Sequence, residues 1–160
     1  MVDAFIQERE LFPPLMPFQS GFLRRNQHEI YYEQCGNRLG LPILFLHGGP
    51  GAGSAPAHRR LFDPKRFRLV LFDQRGCGQS RPNASLDDNS TDLLIDDIEA
   101  LRQSLNIDKF ILFGGSWGST LALAYAIAFP ENVSGLILRG IFLGSRSEVN
   151  WFLNDMGRFF

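Results

Sequence analysis

The residues with the clearest chemical potential are a serine set among glycines. Gly114-Gly115-Ser116-Trp117-Gly118 matches G-x-S-x-G, the spacing of a nucleophile elbow in which a strand turns at once into a helix. That reversal forces the serine into a strained backbone conformation. Glycines two before and two after it let the neighbouring backbones pass without Cβ clashes. The free amides and positive dipole end of the following helix face the serine, where anionic charge develops when its hydroxyl attacks a carbonyl. A serine hydroxyl is a weak nucleophile on its own. It needs a base, and an acid to orient that base.

A second glycine cluster lies upstream at His47-Gly48-Gly49-Pro50-Gly51. Its backbone can approach a ligand closely and present bare N–H donors. A loop of this type after an early strand supplies one half of an oxyanion hole, the other half being the amide after the nucleophile, here Trp117. His47 precedes both the glycines and the serine, an order that fits a brace for the loop better than a general base. Asp73, at the end of another strand, occupies a position from which a catalytic acid can act. It too precedes the serine, and reads better as a structural group that pairs with Arg75 or accepts loop amides. His28 reads as a solvated turn residue, and His58 as lying on the exposed side of a short helix.

These groups need elements to position them. Residues 1–20 form an extended arm, because Pro13, Pro14 and Pro17 forbid regular helix. Gly21–Arg24 and Glu29–Glu33 read as a hairpin turning at Asn26-Gln27-His28. Pro42–Leu46, Arg68–Phe72, Phe110–Phe113 and Val133–Arg139 are short apolar runs of the kind that form buried parallel strands. A helix starts near Ser90 or Thr91, with Asp92 in its first turn and an apolar stripe at Leu94, Ile98, Leu101 and Leu105. Asp92, Asp96, Asp97 and Glu99 read as its solvated acidic face. The helix after Ser116 is slim, rich in alanine, and ends at Pro130. An aromatic-rich helix begins at Ser147.

Length and composition bound the rest. At 160 residues the chain can bury one core. Sixteen basic against seventeen acidic residues leave a net charge of −1, which offers no footprint for nucleic acid or an anionic membrane. The N-terminus lacks a secretory apolar core, and no run approaches the roughly 20 residues of a membrane span. Cys35 and Cys77 lack metal-ligand spacing and read as free thiols of a cytoplasmic protein. Neither a metal nor a cofactor is expected, and the sequence leaves the oligomeric state open.

With HGGPG at 47–51, DQRGCGQS at 73–80, GGSWGSTLALAYA at 114–126 and LRGIFL at 138–143, the chain resembles the proline iminopeptidases. These are α/β-hydrolase serine peptidases that release N-terminal proline from peptides. The resemblance implies an α/β fold: a mostly parallel sheet with an N-terminal antiparallel hairpin, cut off after the strand that follows the nucleophile helix. Residues 21–144 would form the N-terminal part of the hydrolase core, and residues 145–160 the start of a cap domain. It implies Ser116 as nucleophile and the amides of Gly49 and Trp117 as oxyanion hole. Arg139, Phe142 and Phe152 would line a pocket for the proline ring and its amine. The substrates would be peptides with an N-terminal proline. Relatives of this type are about twice as long, and the three histidines end at His58, so nothing here matches the family's triad Asp and His. The expectation is an inactive fragment of a prolyl aminopeptidase. Another α/β-hydrolase, an esterase or amidase, is the first alternative; a non-catalytic pseudo-enzyme or interaction protein is the second.

Overall fold

The computed structural model describes residues 10–155. Six strands form one sheet: β1 (Gln19–Arg25), β2 (His28–Gly36), β3 (Leu41–Leu46), β4 (Phe67–Phe72), β5 (Phe110–Gly115) and β6 (Val133–Arg139). Their spatial order is β1-β2-β4-β3-β5-β6. β1 and β2 pair antiparallel, β2 joins β4 antiparallel, and β4, β3, β5 and β6 run parallel. This is the expected α/β sheet with an N-terminal hairpin. The hairpin is longer than its apolar pattern suggested. Cys35 and Gly36 continue β2 rather than starting a turn, because they pair with Leu69 and Arg68 of β4.

Helices α1 (Thr91–Ser104) and α2 (Trp117–Ala128) cover one face. The α1 stripe meets Tyr125, Ala122 and Leu121 of α2 over Leu44, Leu46, Val70, Phe72, Phe110 and Leu112 of the sheet. Each fully buried Leu, Ile or Phe contributes about 1.5–3 kcal/mol relative to exposure. Ser90 caps α1 by accepting the Leu93 amide, the role expected of a serine at that position. The opposite face buries Cys35, Ile43, Phe45, Leu69 and Leu71 under Leu15 of the arm and Phe62.

Three further expectations change. β6 is an edge strand among the described residues, with Leu136 and Ile137 exposed; an apolar run alone cannot distinguish a central strand from one paired on a single side. The helix expected from Ser147 starts earlier, as a short α3 (Arg146–Asn150), and continues as one wider turn over Trp151–Asp155. Residues 156–160, to which the expected helix ran, lie outside the described residues, as do residues 1–9 of the expected arm.

The acidic face of α1 is the third change. Asp92 and Asp96 are solvated as expected, but Asp97 is 0% exposed. It accepts Nε and Nη2 of buried Arg75 at 2.6 and 2.8 Å, and Nε of Arg25 at 3.0 Å. Glu99 accepts from Arg102, Gln103, Tyr125 and Asn132, tying α1 to α2 and to the turn before β6. The Arg102 guanidinium, helped by Tyr125 and Gln103, lowers the Glu99 carboxyl from its ordinary 4.5 to about 2 against the opposing effect of burial. A depressed carboxylate stabilises fully above its unfolded value and loses that contribution as pH falls towards its folded value. Unfolding measured between pH 7 and pH 2 should therefore show stability declining from about 4.5 to about 2. Glu99→Gln should flatten that decline. An unchanged acid slope in the variant would refute the assignment.

Candidate active site

β5 ends at Gly115, α2 begins at Trp117, and Ser116 between them sits at φ 54°, ψ −126°. A non-glycine residue there is strained and persists only when its surroundings fix it. The fixing groups are visible. The Ser116 amide donates to the Arg139 carbonyl at 3.1 Å. The Ser116 carbonyl accepts the Ser119 amide at 2.8 Å and the Ser119 hydroxyl at 2.6 Å. A Cβ on Gly114 would stand 2.2 Å from the Gly118 carbonyl oxygen, and one on Gly118 would stand 2.1 Å from that of Leu46. The glycine spacing therefore reflects real backbone crossings, and Ser116 is held exposed at the top of the sheet.

The HGGPG loop lies directly against this elbow: a Cβ on Gly48 would stand 2.9 Å from the Gly115 oxygen and 3.2 Å from the Ser116 Cβ. Gly49 takes φ +118°, a conformation that favours glycine. Trp117 is the first residue of α2, so its amide has no acceptor within the helix. His47 is 2% exposed, and its Nε2 accepts the Gln74 amide at 3.0 Å. That contact places the proton of the neutral ring on Nδ1, which donates to the Gly48 carbonyl at 3.0 Å. The Gly53 amide and the Gln74 Nε2, each 3.3 Å from Nδ1, need the other tautomer and are the longer contacts. Burial pushes the imidazole below its usual range. His47 is the brace its position predicts.

Asp73 is likewise structural. One oxygen accepts the Ser54 amide and hydroxyl, both at 2.6 Å, and the other accepts the Gln79 amide at 2.8 Å. Arg75, the alternative partner, belongs to Asp97 instead.

Ser116 and Arg139 share a cavity of about 350 Å³ with His47, His58, Phe45 and Phe113. Sequence reasoning missed His58. It lies on a 3₁₀ turn (Pro56–Arg60) rather than on the outside of a helix, half-buried, with its ring stacked 4.4 Å from Phe45. Phe45 stacks in turn on Phe113 at 5.6 Å, which completes an aromatic wall. His58 Nδ1 accepts the Ala55 amide at 3.0 Å, which leaves the ring proton on Nε2. A five-residue turn carries no periodicity that could have oriented this ring.

A second cavity, of about 460 Å³, lies beyond Trp117 and the HGGPG loop and is lined by Pro50, Gly51, Gln74, Cys77, Leu94 and Trp117. Phe142 is held by its backbone, which donates to the Ser119 hydroxyl and accepts from Thr120. Its ring lies outside the lining of the serine cavity, as does half-exposed Phe152. Gly49 and Trp117 are also outside that lining.

His28 is 1% exposed rather than solvated. Arg81 pairs with Glu29 beside the hairpin, and the loop that follows covers the imidazole, whose Nε2 donates to the Asp87 carbonyl at 2.9 Å. All three histidines are thus accounted for, and none hydrogen-bonds Ser116 among the described residues. A strained serine beside candidate amide donors and an aromatic-walled cavity suits nucleophilic attack on a carbonyl.

A family model described as alpha/beta hydrolase fold matches residues 42–159. The chain is 52% identical over 151 residues to a proline iminopeptidase of Arabidopsis thaliana, covering 94% of this chain and 40% of that protein. It is 56% identical over 142 residues to a proline iminopeptidase of Neisseria meningitidis, covering 88% and 46%. The chain thus spans less than half the length of these relatives, matching their N-terminal half. Among solved structures, a proline iminopeptidase-related protein from Thermus thermophilus superposes with TM-score 0.64 at 31% identity, over 75% of this chain and 43% of that one. A Vigna radiata epoxide hydrolase mutant shares the fold with TM-score 0.70 at 21% identity, over 85% and 44%.

Proposed function

The chain belongs to the α/β-hydrolase fold family, and from that premise we propose that Ser116 is the nucleophile of a serine peptidase releasing N-terminal proline from peptides. The carrying observation is the strained Ser116 opening, with Arg139, onto an aromatic-walled cavity. The identity to proline iminopeptidases supports the choice of substrate. In this reading Ser116 attacks the carbonyl of the terminal proline, and the amides of Gly49 and Trp117 hold the oxyanion. The stacked rings of His58, Phe45 and Phe113 form one side of the cavity, against which the proline ring packs. Arg139 orients the substrate from the rim, and Phe142 and Phe152 complete the pocket when cap residues close over it.

Residues 1–160 carry the nucleophile half of this site, and the base and acid come from elsewhere in the complete enzyme. Loss of the base in a comparable serine peptidase lowers turnover about 10⁶-fold, so these residues alone are inactive. No cofactor or metal takes part. Nucleic acid and membrane are not partners. No helix among the described residues is long and apolar enough to cross a membrane. The reading of a cytoplasmic protein rests on Cys35 and Cys77 being free, buried thiols; burial raises both, Cys35 to about 12.

Residues 1–160 are expected to turn over no proline arylamide. Joined to the C-terminal half of the Neisseria relative, they are expected to release the arylamine, and Ser116→Ala should abolish that. Robust turnover by residues 1–160 alone would overturn the half-site. Hydrolysis of simple esters but not proline arylamides by the joined protein would replace the peptidase with an esterase.

A further inference from the structure

We propose that Gln74 is a positioning residue that clamps the two halves of the oxyanion hole in register. The inference rests on the reading of Ser116 as nucleophile and adds to it the group that sets the donor spacing. Gln74 follows Asp73 at the end of β4 and is 2% exposed. Its side-chain oxygen accepts the Trp117 indole N–H at 2.9 Å. Its side-chain nitrogen donates to the His47 carbonyl at 2.9 Å. Its own backbone amide donates to the His47 ring at 3.0 Å.

One residue therefore holds both the residue that follows the nucleophile and the residue that precedes Gly48-Gly49. The sheet order explains why such a clamp spans the gap. β3 lies between β4 and β5, so a bond from Trp117, just after β5, to Gln74, just after β4, must cross the end of β3. The HGGPG loop leaves β3 at that point. It is pressed against the elbow at Gly48 on one side and pinned by Gln74 on the other. A carboxamide suits this task because it accepts at one atom and donates at another. A glutamate would keep the acceptor and lose the donor; a leucine would lose both. Because these groups are buried, an unmet partner is costly and the network responds as a unit.

The test needs no turnover and uses residues 1–160 as they stand. Backbone amide exchange of Ala52, whose N–H donates to the Gly48 carbonyl across the loop, is measured by NMR in the wild type, Trp117→Phe, Gln74→Glu, Gln74→Leu and the double variant Trp117→Phe with Gln74→Leu. Trp117→Phe removes the indole donor, together with part of the ring that lines the second cavity beside Pro50 and Gly51, and changes no residue of the HGGPG loop. It is nevertheless expected to speed exchange in that loop roughly 10-fold. Gln74→Glu should do the same from the opposite end of the clamp. In the Gln74→Leu background, Trp117→Phe should add little. Unchanged loop exchange in Trp117→Phe, or full additivity of the two substitutions, would overturn the clamp. If Gln74→Leu fails to fold, Trp117→Phe and Gln74→Glu still decide. Lack of peptidase activity in the joined protein would refute the proposed reaction without altering these outcomes.

Discussion

Asp97→Ala is expected to be among the most damaging single substitutions in the chain. Asp97 and Arg75 are 0% and 1% exposed, and removing the carboxylate strands the Arg75 guanidinium away from water. Breaking one side of a buried pair in this way costs about 3–5 kcal/mol, against a total stability of roughly 5–15 kcal/mol for a domain. For a domain of this size that is a fall of about 10 °C in melting temperature. The damage would spread to the site. Arg75 is the neighbour of Gln74, and its carbonyl also accepts from Asn89, so a displaced Arg75 disturbs the turn that carries the clamp. Asp97→Asn keeps acceptor and shape but removes the charge, and should fall between wild type and alanine. A shift within about 2 °C in Asp97→Ala would show that Arg75 finds another partner or water.

Gly118→Ala is expected to disrupt the elbow itself. The new methyl would stand 2.1 Å from the Leu46 carbonyl oxygen and 3.0 Å from that of His47. Both neighbours are backbone, so neither can swing aside as a side chain would. To make room, α2 must lift from β3, which separates Ser116 from the HGGPG loop. Overpacking alone costs about 1–3 kcal/mol, and backbone displacement at a strained site places this variant at or above the top of that range. Gly135→Ala is the matched control. Its Cβ would meet nothing closer than the Ile111 side chain at 3.9 Å, and a strand interior gains about 0.5–1 kcal/mol when glycine gives way to alanine. Thermal unfolding of the two variants should move in opposite directions. Equal and small changes would refute the steric account of the G-x-S-x-G spacing.

The buried Asp97 also shows how far patterns reach. The sequence reading set it off the apolar stripe with the other acids, although it lies three residues after Leu94 and four before Leu101, a spacing that shares their face. Its charge argued for solvent, and the charge misled, because the compensating Arg75 is distant in sequence. His28 and His58 failed for the same reason. Each is a polar ring on a turn, buried by a segment that only the folded chain brings over it.

What the sequence determined by itself was local and short-range. G-x-S-x-G between an apolar run and an alanine-rich helix dictates strand, strained serine and helix, because only glycines survive the backbone crossings at Gly114 and Gly118. HGGPG dictates a loop that can approach that serine, and chain order assigns His47 and Asp73 to bracing. Only the tertiary structure decided what meets across the sheet: which faces of β3 and β5 carry the aromatic wall, which carboxylate neutralises Arg75, and how Gln74 joins Trp117 to His47. Those contacts are set by strand order. The order β4-β3-β5 leaves no trace in any window of neighbouring residues, so the serine could be found by reading along the chain, while the residues that hold its surroundings in place could not.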